Sequence, residues 1–242
     1  MATLISIAAI ADVHSPRYLP LLIASVNSLS VKGAIIDLVI FAGDIVESNS
    51  ISQLKLVVKV ISKFKNIQGS TPPIIAVFGN EEYMGFEQTY ISKYPEIAWV
   101  NDDYKIINIS DREICIVGSR GVLMEATPWQ KRNIPDIKTL YTSRLEKIKN
   151  MLSACKDRGT SITLLVTHYA PTFATLLGES PSIYKYLGYP VIERLSDTAR
   201  PDIAIHGHAH NATRTFAIVR GVEVYNVSLP ATKNLTLIKI KP

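Results

Sequence analysis

"PDIAIHGHAH", residues 201–210, reads as a short buried strand, Ile203-Ala204-Ile205, that breaks at once into three histidines within five positions. The same layout recurs along the chain. "LISIAAIA" at 4–11 runs into "DVH" at 12–14, and "AIIDLVIFAG" at 34–43 runs into "GD" at 43–44. "PIIAVFG" at 73–79 leads to "GNEE" at 79–82, and "SITLLVT" at 161–167 to "TH" at 167–168. Five apolar runs of strand length therefore each end in a small polar cluster. In open α/β sheets, ligands bind at the carboxyl ends of the strands.

Helical periods fill the intervals. Residues 20–31 read as a helix with Pro20 in its first turn, and 51–65 as another with the apolar stripe Leu54, Val57, Val58, Ile61 and Phe64. A long helix is expected over 136–157, from Ile137, Leu140, Tyr141, Leu145, Ile148 and Leu152, ending near Gly159. A loop and a further helix are expected around 182–196. Segments 104–109 and 113–118 are β-rich, "TRTFAIVRGVEVYNVSL" predicts a hairpin turning near Gly221, and "NLTLIKI" a last strand. Strand–helix alternation in the first half predicts a largely parallel sheet, and the β-rich end a second one. The long connection 119–135 is expected to flank a site.

The chain's 242 residues are read as one α/β domain, 1–242, with 47% apolar and 19% charged residues. No apolar run is long enough to span a bilayer, and the first has no basic n-region, so no membrane partner and no signal peptide are expected. Cys115 and Cys155 are too few for a disulfide framework and have no CxxC spacing. They fit a reducing compartment, and a cytoplasmic location is the expectation. A net charge of +5 leaves room for an anionic partner such as nucleic acid. The cations are dispersed, however, and Lys55, Lys59 and Lys63 read as the solvated edge of an amphipathic helix.

All five histidines lie in the strand-end clusters, beside Asp12, Asp44 and Asn80. Imidazoles, carboxylates and one amide, with neither cysteine among them, suit Mn, Fe, Zn, Co or Ni rather than a thiolate-loving ion. Seven donors, Asp12, His14, Asp44, Asn80, His168, His208 and His210, exceed one four-coordinate site and match two that share a carboxylate. Asp44, preceded by Gly43, is the natural bridge. Two ions ~3.5–4 Å apart activate a bridging hydroxide and clamp the attacked and leaving oxygens of an in-line displacement, which is phosphoester hydrolysis. The expected cofactors are two divalent metal ions, with manganese placed first.

At these positions the chain resembles the calcineurin-like metallophosphoesterases. Asp12-Val13-His14, Gly43-Asp44, Gly79-Asn80-Glu81-Glu82, His168 and Gly207-His208-Ala209-His210 are similar, in order, to that family's DxH, GD, GNH(D/E), H and GHxH. The resemblance spans residues 12–210. It implies a four-layer α/β/β/α sandwich with two mixed β-sheets. It implies one metal on Asp12, His14, Asp44 and His210, and the other on Asp44, Asn80, His168 and His208.

Glu81 stands where the family has a histidine that serves the leaving group or steadies phosphate charge. An ionised Glu81 beside two cations is a poor acid and repels a phosphomonoester dianion more than a diester monoanion. That favours phosphodiesters or good leaving groups, with Asn80 and Glu81 as the catalytic candidates. A second reading, with Glu81 turned away and Asn80 alone shared with the family, stays open. Glu82 is expected to orient a ligand from behind and His206 to be a core residue. Arg17 is read as a surface residue, and Tyr83 and Tyr169 as ordinary neighbours of the site.

Three functions are expected in descending order. The first is a dinuclear metal-dependent phosphoesterase acting on a small phosphoester, with phosphodiesterase ahead of phosphatase. The second is a nuclease, and the third a metal-binding interaction scaffold on the same fold. Substrate-binding residues are unknown from sequence, though the walls are expected at 83–98, 119–135 and 169–181. Oligomeric state is not legible.

Overall fold

The computed structural model describes residues 4–241. The first half builds β1 (Ile5–Ile10), α1 (Leu19–Val31), β2 (Leu38–Ala42), α2 (Leu54–Ile61), β3 (Ile74–Val77), α3 (Glu87–Lys93) and β4 (Ile97–Trp99). There follow β5 (Asp103–Ile109), β6 (Arg112–Ser119), α4 (Pro128–Asn133), α5 (Ile137–Asp157) and β7 (Ile162–Thr167). The last part is α6 (Val191–Arg194), β8 (Ile203–His206), β9 (Phe216–Val219), β10 (Val222–Asn226), α7 (Leu229–Thr232) and β11 (Thr236–Ile240).

One sheet has the order β11-β1-β2-β3-β4, the other β5-β6-β7-β8-β10-β9. In the first, β1 to β4 run parallel and only β11 pairs antiparallel. In the second, β6, β7, β8 and β10 are parallel, and β5 and β9 close the edges antiparallel. The expected pair of mixed sheets is present.

Alternation along each strand sets the layers. Ile5, Ile7, Ala9, Leu38, Ile40 and Val77 face Ile116, Leu164, Val166 and Ile205 of the other sheet. The opposite face of the first sheet, Ala8, Ile10, Val39, Phe41 and Ala76, packs on Leu22 and Val26 of α1 and Leu54, Val57 and Ile61 of α2. The outer face of the second sheet, Cys115, Val117, Leu165 and Ala204, packs on α5. Helix α5 buries Ile137, Tyr141, Arg144, Ile148, Leu152 and Cys155, a spacing of three and four that turns one face inward. The result is α/β/β/α.

Most expected elements appear within a few residues. The hairpin turns at Arg220-Gly221, with φ of 50° and 83° and Val219 facing Val222. Two left-handed residues between paired strands match the twist of the hairpin. Lys55 and Lys59 lie exposed on α2 as read, and Lys63 lies exposed in the turn just after it.

Two expectations need correction, and the content of the 119–135 connection, which the sequence reading left open, is filled in. The helix around 182–196 is broken into a 3-10 segment, Pro181–Tyr186, and the single turn α6, because Gly188 and Pro190 interrupt the register. The connection 119–135 is not structureless. It contains α4, whose Thr127 and Gln130 form a reciprocal capping box, with Pro128 in the first turn. Cys115 and Cys155 are joined as a disulfide, their Cα atoms 5.9 Å apart. Sequence spacing cannot show that β6 and α5 pack face to face, and the pairing removes the argument for a reducing compartment. Among the described residues, no helix is long and apolar enough to cross a membrane.

Candidate metal centre

The strand ends of both sheets meet at one edge of the sandwich. Asp12, Asp44 and Asn80 follow β1, β2 and β3, while His168, His208 and His210 follow β7 and β8. The backbone there is unusual. Asp12, His14, Asp44 and His208 all have positive φ, 56°, 40°, 53° and 69°, a region that costs a non-glycine residue energy and persists only where its surroundings impose it. Glycines allow the segments to close. A Cβ on Gly43 would lie 2.7 Å from both Gly79 N and His168 Nδ1. One on Gly79 would strike Asp44 Oδ1, and one on Gly207 would strike Ala11 and Asp12.

Two groups of donors result, Asp12–His14–His210 and Asp44–His168–His208, each with its ligand atoms within 4.8 Å of one another. In the first, His210 Nε2 lies 3.1 Å and His14 Nε2 3.8 Å from Asp12 Oδ1. These three atoms are buried and make no directed hydrogen bond. Burying polar atoms without partners is costly, and a cation offered to them satisfies all three together. In the second group, His168 Nε2 is 3.3 Å from Asp44 Oδ2 and 3.1 Å from Asn80 Oδ1. Its Nδ1 faces the Ala42 carbonyl at 3.1 Å, the outer hydrogen bond that aims the other nitrogen of a metal-binding histidine. His208 Nε2 lies 3.3 Å from the Tyr186 carbonyl. Asp44 Oδ2 also stands 3.9 Å from His14 Nε2, so one oxygen faces both groups. The donor set therefore fits two divalent ions of borderline hardness.

Charge is concentrated without water. Burial opposes the ionised form of Asp12, but the close approach of His210 and the imidazoles of His168 and His14 hold its carboxyl well below the usual range. Asp44 is lowered likewise: burial pushes it up, while the charge and hydrogen bond of His168, with His14, bring it down. His168 is disfavoured as a cation by burial, yet the Asp44 and Asp12 carboxylates push it up to about 9. Burial, followed by the charge of His168, pushes His208 down to about 3.

The residues behind the donors are fully paired. Glu82 is buried and accepts four backbone N–H bonds: from Asp44 and Gly79 at Oε2, both 2.8 Å, and from Ile45 and Val46 at Oε1, 2.7 and 3.1 Å. Burial and the Asp44 charge push its carboxyl up to about 7 against the pull of the amides. It knots the loop after β2 to the loop after β3, which sets Asp44. His206 is buried, with Nε2 2.7 Å from Thr175 Oγ1 and Nδ1 2.8 Å from the Gly207 carbonyl, and burial lowers it to about 4. Asp12 Oδ2 accepts from the His208 N–H at 2.9 Å.

Glu81 meets the site through its backbone, whose N–H donates to Asp44 Oδ1 at 2.7 Å. Its carboxylate accepts from the Ser48 N–H at 2.7 Å. Arg17 pairs with Glu47 on the surface. Tyr83 is exposed at the mouth of a cavity beside the site, while Tyr169 is buried with its ring 4.9 Å from that of His208.

Sequence reasoning missed Arg120. It is buried, donates to the Gly79 and Glu82 carbonyls, the latter at 2.7 Å, and pairs with Glu87 at 2.8 Å. No local signal marks it, because its partners lie 33 to 41 residues away.

The family profile of the calcineurin-like phosphoesterases matches residues 5–212. The chain belongs to that family and is a metal-dependent phosphohydrolase. No curated protein sequence matches it. Among solved structures it is similar to the phosphopantetheinyl hydrolase of Mycobacterium tuberculosis, with 15% identity and a TM-score of 0.59, covering 100% of this chain and 98% of that one. It is similar to a dimetal phosphatase from Danio rerio, with 11% identity and a TM-score of 0.54, over 92% and 86% of the two chains. It is also similar to GAP50, the anchor in the inner membrane complex of Plasmodium, with 14% identity and a TM-score of 0.57, over 94% and 72%. At such identities these likenesses establish the shared fold.

Proposed function

We propose that the chain works as a single domain hydrolysing small phosphoesters, with Asp12, His14, Asp44 and His210 holding one divalent ion and Asp44, Asn80, His168 and His208 the other. The observation that carries this reading is the pair of donor groups facing one Asp44 oxygen, with the Asp12, His14 and His210 donor atoms buried and unpartnered. Bound there, manganese or a similar ion pair supplies charge neutralisation at the phosphate and an activated water. In the net reaction water adds to phosphorus, one ester P–O bond breaks, and the departing oxygen ends protonated as an alcohol.

The protein's own groups do the positioning. The Glu82 knot and the left-handed residues fix Asp12 and Asp44 before substrate arrives, so little reorganisation is left for the reaction. The Ala42 carbonyl holds His168 with Nε2 toward the site. Glu81, whose carboxylate accepts from the Ser48 N–H and, at 3.4 Å, from Asn80 Nδ2, is held as an acceptor rather than aimed as an acid. Its carboxylate lies at the cavity wall, where it adds negative charge. That supports diesters ahead of dianionic monoesters, and esters of acidic alcohols ahead of those whose leaving oxygen needs a proton.

The scaffold reading has a precedent in fold in the anchor GAP50. The unpartnered donors weigh against it, since a scaffold gains nothing from them. The test is hydrolysis of bis-p-nitrophenyl phosphate against p-nitrophenyl phosphate by metal-stripped protein, before and after adding Mn²⁺. Metal-dependent turnover favouring the diester is expected. A monoester preference contradicts the Glu81 argument, and no turnover with any divalent ion contradicts the enzyme.

A further inference from the structure

A cavity of about 590 Å³ opens directly beside the second donor group, with Asn80 and His208 in its wall. That is the volume of a pocket for a small organic molecule, well beyond what a phosphate needs. An apolar part of its wall comes from Leu123, from Ile134 just after α4, and from Ile137 and Leu140 in the first turn of α5. At its mouth Tyr83, Met84, Phe86 and Trp129 are each between 44% and 61% exposed. Four large apolar side chains around one opening form a patch that a protein does not leave in water without use.

The buried polar side chains of the wall are largely engaged, and the free polar atoms of Tyr83 and Asn133 sit at its exposed rim. Arg120 is spent on two carbonyls and Glu87. Arg144 bonds Asp102 through Nε at 2.9 Å and the Gly121 carbonyl through Nη1. Gln130 Oε1 accepts from the Thr127 N–H at 2.9 Å and the Tyr141 hydroxyl at 3.1 Å, and its Nε2 donates to Tyr169 at 3.1 Å. A sugar or base placed here finds few free partners, whereas a hydrocarbon group finds a wall that asks nothing of it.

Resting on the phosphoesterase reading above, we propose that this cavity takes one ester group of the substrate, and that this group is a bulky hydrocarbon, alkyl or aryl, rather than a nucleoside. In a diester the seated group need not be the one that leaves. The cavity is then the specificity determinant, with the metal site supplying a chemistry common to many esters.

The test is calorimetric titration of the Mn²⁺-loaded protein with methyl-, butyl- and octylphosphonate and with thymidine 5′-monophosphate. The Kd is expected to fall at least about tenfold from methyl to octyl, since each added methylene leaves water. The heat-capacity change should become more negative along the series. Octylphosphonate is expected to bind tighter than the nucleotide by about fivefold or more. Leu140→Arg, which puts a cation into the apolar wall, should bring the octyl-to-methyl ratio close to one. A flat series in the wild-type protein, or tighter binding of the nucleotide, overturns the proposal, and neither depends on how the variant folds. Hydrolysis of aryl phosphoesters by the same preparation is read separately. Its absence strikes the phosphoesterase reading, while the phosphonate series still decides what the cavity holds.

Discussion

Two buried polar constellations lie side by side at the strand ends, and they are finished to different degrees. Around Glu82 every carboxylate oxygen has two amide donors. A few ångströms away Asp12 Oδ1, His14 Nε2 and His210 Nε2 are equally buried and have none. The first is complete within the chain and holds the loops together. The second is held in place by strained backbone and left unfinished, as expected of groups meant for something brought from outside. Buried polarity by itself therefore does not single out the site, and neither does one unpartnered atom, since Trp99 Nε1 and Gln53 Oε1 also lack partners; three such donors converging on one another do.

That contrast is broken or sharpened most strongly by paired substitutions. Asp44→Asn should lower metal-dependent hydrolysis on the order of a thousandfold, by initial rates at saturating Mn²⁺, because a shared ligand loses its charge. In the metal-free protein, His14→Asn, which removes an unpartnered buried donor at a left-handed position that asparagine tolerates, should leave the thermal midpoint unchanged or raised. Glu82→Gln should do the reverse in stability. Its amide would face N–H donors, at a cost of about 3 kcal/mol and a Tm drop of about 6–12 °C, read by calorimetry of the metal-free protein. Equal destabilisation by the two variants would erase the distinction.

Metal loading gives the next effect. At a hundredfold excess over its Kd, Mn²⁺ should stabilise the wild-type chain by about 2.7 kcal/mol for each ion bound in chemical unfolding, and Asp44→Asn by much less. His168, raised to about 9 in the metal-free protein, is protonated at pH 7 and must be neutral to bind. Loading should therefore release about one proton at pH 7, measured by titration calorimetry in buffers of different ionisation heat. The release should fade as pH rises through about 9, where the metal-free histidine is already neutral. Uptake of protons, or none at pH 7, would mean that His168 is not a ligand.

The smallest effect belongs to the satisfied side. Thr175→Val removes a partner of His206, a buried histidine only two residues from His208. It should cost about 1 kcal/mol in urea unfolding and leave the rate of hydrolysis within about twofold. A large rate loss would place His206 in the chemistry after all.

The sequence already showed the edge where this happens. Five buried runs ended in Asp, Asn or His, and the period-free apolar stretches made them strands, so the strand ends could be aligned before any contact was known. Sheet order was not legible, since β1 pairs with β11 from the other end of the sequence, nor were the Glu82 knot and the Arg120 clamp, which join segments 33 to 41 residues apart, mostly through backbone atoms that carry no residue identity. The same holds for the Cys115–Cys155 bond, made across the face between β6 and α5. The cavity wall was half visible. Segments 83–98 and 119–135 were expected to flank the site, yet Thr127-Pro128-Trp129-Gln130 spelled a helix start that went unread, and the α5 face that lines the cavity looked like ordinary core.

Counting the ions is the most direct test. Metal-stripped protein dialysed against excess Mn²⁺ should carry two ions per chain by elemental analysis, and His14→Ala should carry one. A wild-type content of one or none would contradict a shared dinuclear centre on Asp44, and two ions retained in the variant would place His14 outside it.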